Sequence, residues 1–317
     1  MKAIAAPGYG PLESLALVDV PLPTPGRGEV RVRVVASALN PADHKVILGT
    51  LKFLHARNRP LIVGYDFSGT VDAVGPFSSI SVGDEVFGFL PYGPGNRRGA
   101  FAEALIAKCD EVALKPAGVS HERAAAAATT GLTAIESLRD LGRLPERDGR
   151  VLVTGVSGGV GSIAVGIAKK LNATVTAVGS GPGLELARRL GASDVLDRTK
   201  EPLPGNLHEA FDVVFDAAAA YRWRQWRGAL KRGGAFVTTL PSLAFAIDKV
   251  HSLFTRTRVQ FVNVKSRPAN LRLLASWLDE GLEVPLASTI PVRDVAKGLQ
   301  QLRTAGGRIA VRVADGF

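Results

Sequence analysis

Arg150-Val-Leu-Val-Thr-Gly-Val-Ser-Gly-Gly-Val-Gly161 is the stretch on which the reading of this chain turns. An apolar strand runs into a tight turn, Gly155-x-x-Gly158-Gly159-x-Gly161, a helix of small and apolar residues leaves it, and a second strand follows at residues 174–178. Glycine serves where the chain turns, where backbone approaches a pyrophosphate, and where the helix meets the sheet; the helix N-terminus adds N–H donors and the positive end of a dipole. A glycine turn with no ligand is the alternative. Strand, turn, helix and second strand within about 30 residues are, however, the context that a dinucleotide fingerprint requires.

The end of the second strand bears on the choice of cofactor. An NAD site usually places Asp or Glu about 20 residues beyond the glycines to hold the ribose 2′-hydroxyl. Here Val178-Gly-Ser-Gly-Pro-Gly183 occupies that region, and the first carboxylate is Glu185. A carboxylate-free end with the Ser180 hydroxyl, and with Arg188 and Arg189 on the next helix, suits a 2′-phosphate and therefore NADP.

Working outward, an alanine-rich helix is predicted at residues 120–129 and a second at 132–141. Beyond the loop, strands at 194–196, 212–215, 235–238 and 259–264 alternate with helices at 160–171, 184–190 and 221–230, which argues for a parallel sheet with helices on both faces. Upstream, Val30, Val32 and Val34 alternate with Arg31 and Arg33 as in a half-buried strand, and short strands at 61–63, 69–74, 85–89 and 101–106 follow between turns. The tail adds helices at 270–279 and 292–304 and a closing strand at 308–313.

A chain of 317 residues, 46% hydrophobic and 21% charged, suggests about two globular domains and excludes a disordered protein. No stretch approaches the roughly 18 apolar residues of a membrane span, and the apolar run after Met1-Lys2 is too short for a signal peptide. A cytoplasmic protein with no membrane partner is expected. One cysteine, Cys109, permits neither an internal disulfide nor a four-thiolate zinc site, and the five histidines show no metal-ligand spacing. The net charge of +10 invites a nucleic-acid reading. Lys and Arg are nevertheless spread along the chain, and the densest run, Arg222, Arg224, Arg227, Lys231 and Arg232, matches no nucleic-acid motif, so a solvated basic surface that attracts an anionic cofactor is preferred.

With these motifs the chain resembles the medium-chain dehydrogenase/reductase superfamily and, within it, the zinc-free NADPH:quinone oxidoreductase and enone reductase branch. The likeness spans nearly the full length. Besides the glycine loop it rests on Ser37-Ala-Leu-Asn-Pro-Ala-Asp43, Gly64-Tyr-Asp-Phe-Ser-Gly-Thr-Val-Asp-Ala-Val-Gly75, Val82-Gly-Asp-Glu-Val-Phe-Gly88, Gly99-Ala-Phe-Ala-Glu103, Thr130-Gly-Leu-Thr-Ala134, Leu190-Gly-Ala-Ser-Asp194, Phe211-Asp-Val-Val-Phe-Asp216 and Gly307-Arg-Ile-Ala-Val311. The resemblance implies an α/β protein in which a GroES-like β-rich catalytic domain, residues 1–122 and 265–317, encloses a Rossmann doubly wound parallel-sheet domain, residues 123–264. It also implies an active site in the cleft between them, and a homodimer.

Zinc-dependent relatives carry Cys where this chain has Asn40 and a His-Glu pair where it has Tyr65-Asp66. Neither Asn40 nor Tyr65 is a normal zinc ligand, so the resemblance implies zinc-independent chemistry. Without a Lewis acid, alcohol oxidation is disfavoured, whereas a quinone or α,β-unsaturated carbonyl takes hydride at carbon and delocalises the charge onto oxygen. NADPH-dependent reduction of a small quinone or enone is the expected activity. A dedicated biosynthetic enoyl reductase is one alternative, and a nucleotide-dependent RNA- or protein-binding protein with little catalysis is the other.

By the resemblance, Asn40, Asp43 and Tyr65 are the catalytic candidates: Asn40 bonds the cofactor ribose or the substrate oxygen, Asp43 fixes the loop, and Tyr65 supplies a phenolic donor. Read from the residues alone, Asn40-Pro-Ala-Asp43 is equally a turn, and Tyr65 after Gly64 is a packing residue. The implied cofactor contacts are Asn40, Thr130, Ser157, Gly158, Gly159 and Val160, together with Ser180, Ala217 and Leu240. Where the family often carries Lys or Arg after the second-strand serine, this chain has Pro182-Gly183. The basic loop 93–98, with Asn96, Arg97 and Arg98, is expected to edge the substrate mouth.

Overall fold

The computed structural model of the chain describes residues 1–56, 59–200, 203, 207–302 and 306–317. The chain divides into two compact units, Met1–Thr129 with Lys265–Phe317, and Thr130–Val264.

The second unit is built on six strands, Arg150–Thr154, Thr174–Gly179, Asp194–Asp197, Phe211–Asp216, Leu230–Thr238 and Arg258–Phe261. Numbered in chain order within this sheet, they lie 3-2-1-4-5-6, and every neighbouring pair is parallel. Val151, Leu152 and Val153 of the first strand and Val213, Val214 and Phe215 of the fourth are fully buried, the near-continuous apolar pattern of a sheet covered on both faces. Trp223, Trp226 and Phe236 pack with Leu152 and Val214 in one core. Strand order reverses between the first and fourth strands, so the crevice outside their carboxyl ends is where this fold binds ligands.

The first unit carries a seven-stranded sheet in which Leu286–Pro291, Arg308–Arg312, Glu29–Ala38, Asp66–Val74, Glu85–Phe89 and Val112–Leu114 lie side by side, with Ala104–Lys108 also paired to Glu29–Ala38. The C-terminal strand pairs antiparallel with Glu29–Ala38, Ala310 opposite Ala38, so the last residues of the chain reach the segment that precedes Asn40.

Several elements differ from the sequence reading. The two helices expected at 120–129 and 132–141 are one: His121–Ile135 continues into a π-helical stretch, Glu136–Leu141. Thr129-Thr130-Gly131 reads as a break, but all three residues are buried, and packing outweighs propensity. The helix expected at 221–230 is a single turn, Trp223–Trp226, while an unexpected helix forms at Leu243–Ser252. Residues 61–63 make only one isolated bridge, Leu61 to Ala6, instead of a strand. The helix expected at 292–304 is a 3-10 turn, Val292–Asp294, followed by Val295–Gln301, and its final residues, Arg303 and Thr304, lie outside the described residues.

Candidate active site

The glycine loop forms a cradle without side chains. Gly155 has φ 69°, and a Cβ there would stand 2.8 Å from the Ala218 Cβ. At Gly161 a Cβ would lie 2.3 Å from the Gly155 carbonyl oxygen, so only glycine lets the helix Gly159–Lys170 start against the turn. Gly158 N–H donates to Gly155 O at 2.9 Å, and Ser162 N–H to Gly158 O at 2.9 Å. The N–H groups of the first turn, at Gly159, Val160 and Gly161, have no intrahelical acceptor and suit an anion. A pyrophosphate fits this arrangement. Beside it, the buried Asp216 carboxylate accepts the Thr154 hydroxyl at 2.6 Å and the Tyr221 N–H at 2.9 Å. Ser157, Gly158, Gly159, Val160, Ser180, Ala217 and Leu240 all follow the carboxyl ends of strands in this sheet. Thr130 lies in the helix His121–Ile135 and is buried, and Asn40 belongs to the first unit.

At the end of the second strand, a Cβ on Gly183 would fall 2.0 Å from the Ser157 Oγ, which explains why no basic side chain stands there. Arg188 is paired to Glu185 on its own helix. The sequence reading missed Arg198, which directly follows the strand Asp194–Asp197 and donates its backbone N–H at 3.0 Å to the carbonyl oxygen of Gly179, the residue before Ser180. An open groove of about 440 Å³, lined by Gly181, Leu184, Arg188, Asp197 and Lys200 among others, lies in the same region.

In the first unit, Asn40-Pro-Ala-Asp43 is a helix start. Pro41 opens the helix Pro41–Ile47, and the Asp43 carboxylate accepts the Asn40 N–H at 2.7 Å and the Gly64 N–H at 3.2 Å. The Asn40 side chain turns toward a buried ion pair. Its Nδ2 donates to Asp66 Oδ2 at 2.9 Å, and its Oδ1 accepts from the Arg308 guanidinium at 2.9 Å. Arg308 also donates to Asp66 and, at 2.7 Å, to Leu39 O. Asp66 further accepts the Thr129 hydroxyl and, at 2.7 Å, the Thr129 N–H. Burial opposes ionisation of Asp66, while the guanidinium and these donors favour it. Burial pushes the Asp43 carboxyl up to about 8 against its two backbone donors, with the Asp66 charge adding to the rise, so at neutral pH Asp43 mostly holds its proton. Arg308 lies far along the chain from its partners, and nothing in local pattern announced it.

Tyr65, expected as a phenolic donor, is fully enclosed. Its hydroxyl donates to Leu54 O at 3.3 Å and lies 3.4 Å from His55 Nδ1, and its ring packs against Phe89 and Tyr92. This is a packing environment. In the loop 93–98, expected to edge a substrate mouth, Pro94, Gly95 and Arg97 are exposed, while Arg98 makes a two-pronged ion pair with Glu111, at 2.6 and 3.2 Å, and donates its N–H to the buried Asn96 Oδ1 at 2.9 Å.

His55 is 1% exposed, and its Nε2 has no partner. Burial, reinforced by Arg98, lowers its pKa to about 4 from the ordinary 6.5. The folded state therefore favours the neutral ring, a stabilisation present above pH 6.5 and lost as pH falls toward 4, on the order of 3 kcal/mol. Asp43 works the other way, because its raised pKa stabilises the fold as pH falls below 8. The His55 contribution is thus read as a difference: between pH 7 and 4, urea unfolding should show wild type losing on the order of 3 kcal/mol relative to His55→Phe. Parallel pH profiles for the two proteins would refute it.

A sheet of 3-2-1-4-5-6 order with a side-chain-free cradle at its switch point is the arrangement of a dinucleotide-binding domain. Residues 26–117 match the alcohol dehydrogenase GroES-like domain family, and residues 159–272 match the zinc-binding dehydrogenase family. The chain is 33% identical to a chloroplastic quinone-oxidoreductase homolog of Spinacia oleracea over 76% of its own length and 75% of the relative's. It is 33% identical to the 2-methylene-furan-3-one reductase of Solanum lycopersicum, over 84% of this chain and 71% of that one. The solved quinone oxidoreductase of Coxiella burnetii superposes with a TM-score of 0.87, covering 99% of both chains at 26% identity. The chain belongs to the medium-chain dehydrogenase/reductase superfamily, in its quinone oxidoreductase and enone reductase branch.

Proposed function

We propose that this chain is an NADPH-dependent, zinc-independent cytoplasmic oxidoreductase that reduces a quinone or an α,β-unsaturated carbonyl. The observation that carries the reading is the cradle at the switch point, with Arg198 and Ser180 at the adjoining strand ends. When bound, NADPH supplies the hydride. The first-turn N–H groups from Gly159 to Gly161 hold the pyrophosphate, and Ser180 with Arg198 holds the 2′-phosphate. Asn40, its amide oriented by Arg308 and Asp66, presents a fixed hydrogen-bonding group, and Asp43 anchors the helix start behind it.

Zinc does not fit the donor set. Asn40 and Asp66 stand where zinc-dependent relatives have ligands, yet both are bonded to the Arg308 guanidinium, whose charge repels a cation. Among the described residues no group of three or more His, Cys, Asp or Glu could hold a metal ion. The nucleic-acid reading loses support as well: Arg222 and Arg224 pair with the buried Asp248, and Lys231 pairs with Asp212 at 2.8 Å. A homodimer belongs to the proposal. Arg258–Phe261 is an edge strand, and next to it Ile247, Val250, Leu253 and Phe254 are 50%, 56%, 74% and 86% exposed, an apolar face suited to a second copy.

NADPH oxidation against benzoquinones, naphthoquinones, enones and enoyl thioesters tests the activity. Rapid turnover with one of these classes, unaffected by a metal chelator, is expected; turnover that a chelator abolishes and zinc restores would overturn the metal-free reading. In fluorescence titrations NADPH should bind more tightly than NADH. Arg198→Ala should weaken NADPH about tenfold and leave NADH unchanged, and Ser180→Asp should reverse the preference by repelling the 2′-phosphate. Equal affinities in the wild type would remove the assignment.

A further inference from the structure

After the helix Pro41–Ile47 the chain makes a tight turn and a 3-10 turn, Lys52–Leu54, leaving Leu48 and Phe53 47% and 60% exposed. One side chain ties this projection together. The Tyr9 Cβ would lie 3.2 Å from a Cβ at Gly49, its hydroxyl faces Lys52 O at 3.4 Å, and the Arg59 guanidinium sits 5.6 Å from its ring centre. Lys52 and Arg59 are exposed, and Lys45 is half-buried.

The charge here is one-sided. From His44 to Tyr65 the sequence contains no Asp or Glu, and the same holds from Val86 to Ala102. Backbone hydrogen bonds from Gly93 N–H to Leu54 O, at 3.0 Å, and from Ala56 N–H to Asn96 O, at 2.7 Å, lay these two acid-free segments against each other. The second segment brings Arg97 and Arg98, of which Arg98 is held by Glu111. Asp43, the nearest carboxyl along the chain, is fully buried.

We propose that this projection is a docking surface for an anionic lipid bilayer, with Leu48 and Phe53 entering the headgroup boundary and Lys45, Lys52 and Arg59 facing the lipid charge. An aromatic and an aliphatic side chain held outward on a compact turn, flanked by two basic segments without Asp or Glu, is the pattern of interfacial binding. It differs from the expectation of no membrane partner for a physical reason: a hydropathy window finds spans, and no helix among the described residues is long and apolar enough to cross a membrane, whereas docking needs only a few exposed side chains. Docking gives the enzyme access to acceptors that partition into membranes.

The test is cosedimentation of the full chain with phosphatidylcholine vesicles containing about one third phosphatidylserine, at about 0.1 M salt, where the screening length is near 10 Å. Wild type should sediment, with an apparent affinity at least tenfold lower on pure phosphatidylcholine or at about 1 M salt. Leu48→Glu/Phe53→Glu should lose at least tenfold in vesicle affinity with its unfolding temperature unchanged, and Lys52→Glu should weaken binding only at low salt. A wild type that stays in the supernatant, or a double variant that sediments like it, would overturn the proposal. Neither readout depends on the reaction catalysed.

Discussion

Arg308→Met is expected to lower the free energy of unfolding by about 3–5 kcal/mol, the penalty for leaving one charge of a buried pair without its partner. Arg308 is 5% exposed and Asp66 fully buried, and the guanidinium bonds Asp66, Asn40 Oδ1 and Leu39 O. Removing it leaves the buried Asp66 carboxylate with no compensating cation among these contacts. Replacing both partners, as in Asp66→Asn/Arg308→Met, should recover at least half of the loss, because a neutral pair carries no uncompensated charge. Urea unfolding of the wild type, both single variants and the double variant supplies the full cycle. A single-variant loss below about 1 kcal/mol would show that the pair is hydrated and outside the core.

Gly159→Val should weaken NADPH binding at least tenfold, about 1.4 kcal/mol, while the fold survives. Gly159 opens the helix Gly159–Lys170, and its N–H belongs to the first turn, which is proposed to hold the pyrophosphate. A β-branched side chain there occupies the space that the phosphate oxygens need. The apo-protein should unfold at nearly the wild-type temperature, whereas the rise in unfolding temperature that NADPH confers should shrink, since that rise follows the logarithm of ligand concentration over dissociation constant. A variant that unfolds normally and binds NADPH normally would mean that the loop does not cradle the cofactor.

These two predictions rest on features of different legibility. The glycine loop was readable because a pyrophosphate cradle is local: turn, helix start and flanking strands sit within one stretch of chain, and each leaves its mark on residue type. Arg308 was not readable, because its partners Asn40 and Asp66 lie 268 and 242 residues away and meet it only through pairing of the C-terminal strand with Glu29–Ala38. Arg198 falls between these cases. Its place after the strand Asp194–Asp197 was visible, but its backbone bond to Gly179, the residue before Ser180, depends on the register of two parallel strands, which residue types do not encode. By residue type Asn40-Pro-Ala-Asp43 suits a turn as well as a site loop, because Asn, Pro and Asp favour both turns and helix starts; the apolar pair Val46 and Ile47, both fully buried, tips the local structure to a helix. Tyr65 shows the limit of carrying a role across a motif, since burial against Phe89 and Tyr92 encloses a hydroxyl that its position suggested as a donor.

Transfer of label most directly tests the claim that the chain moves hydride from NADPH to carbon. The purified protein is mixed with NADPH deuterated at the transferred C4 position and an enone that it turns over, and the product is examined by NMR. Deuterium at the β-carbon of the product, with solvent-derived hydrogen at the α-carbon, is the expected result. Product without deuterium at the β-carbon, or NADPH that binds but is never consumed, would contradict the account.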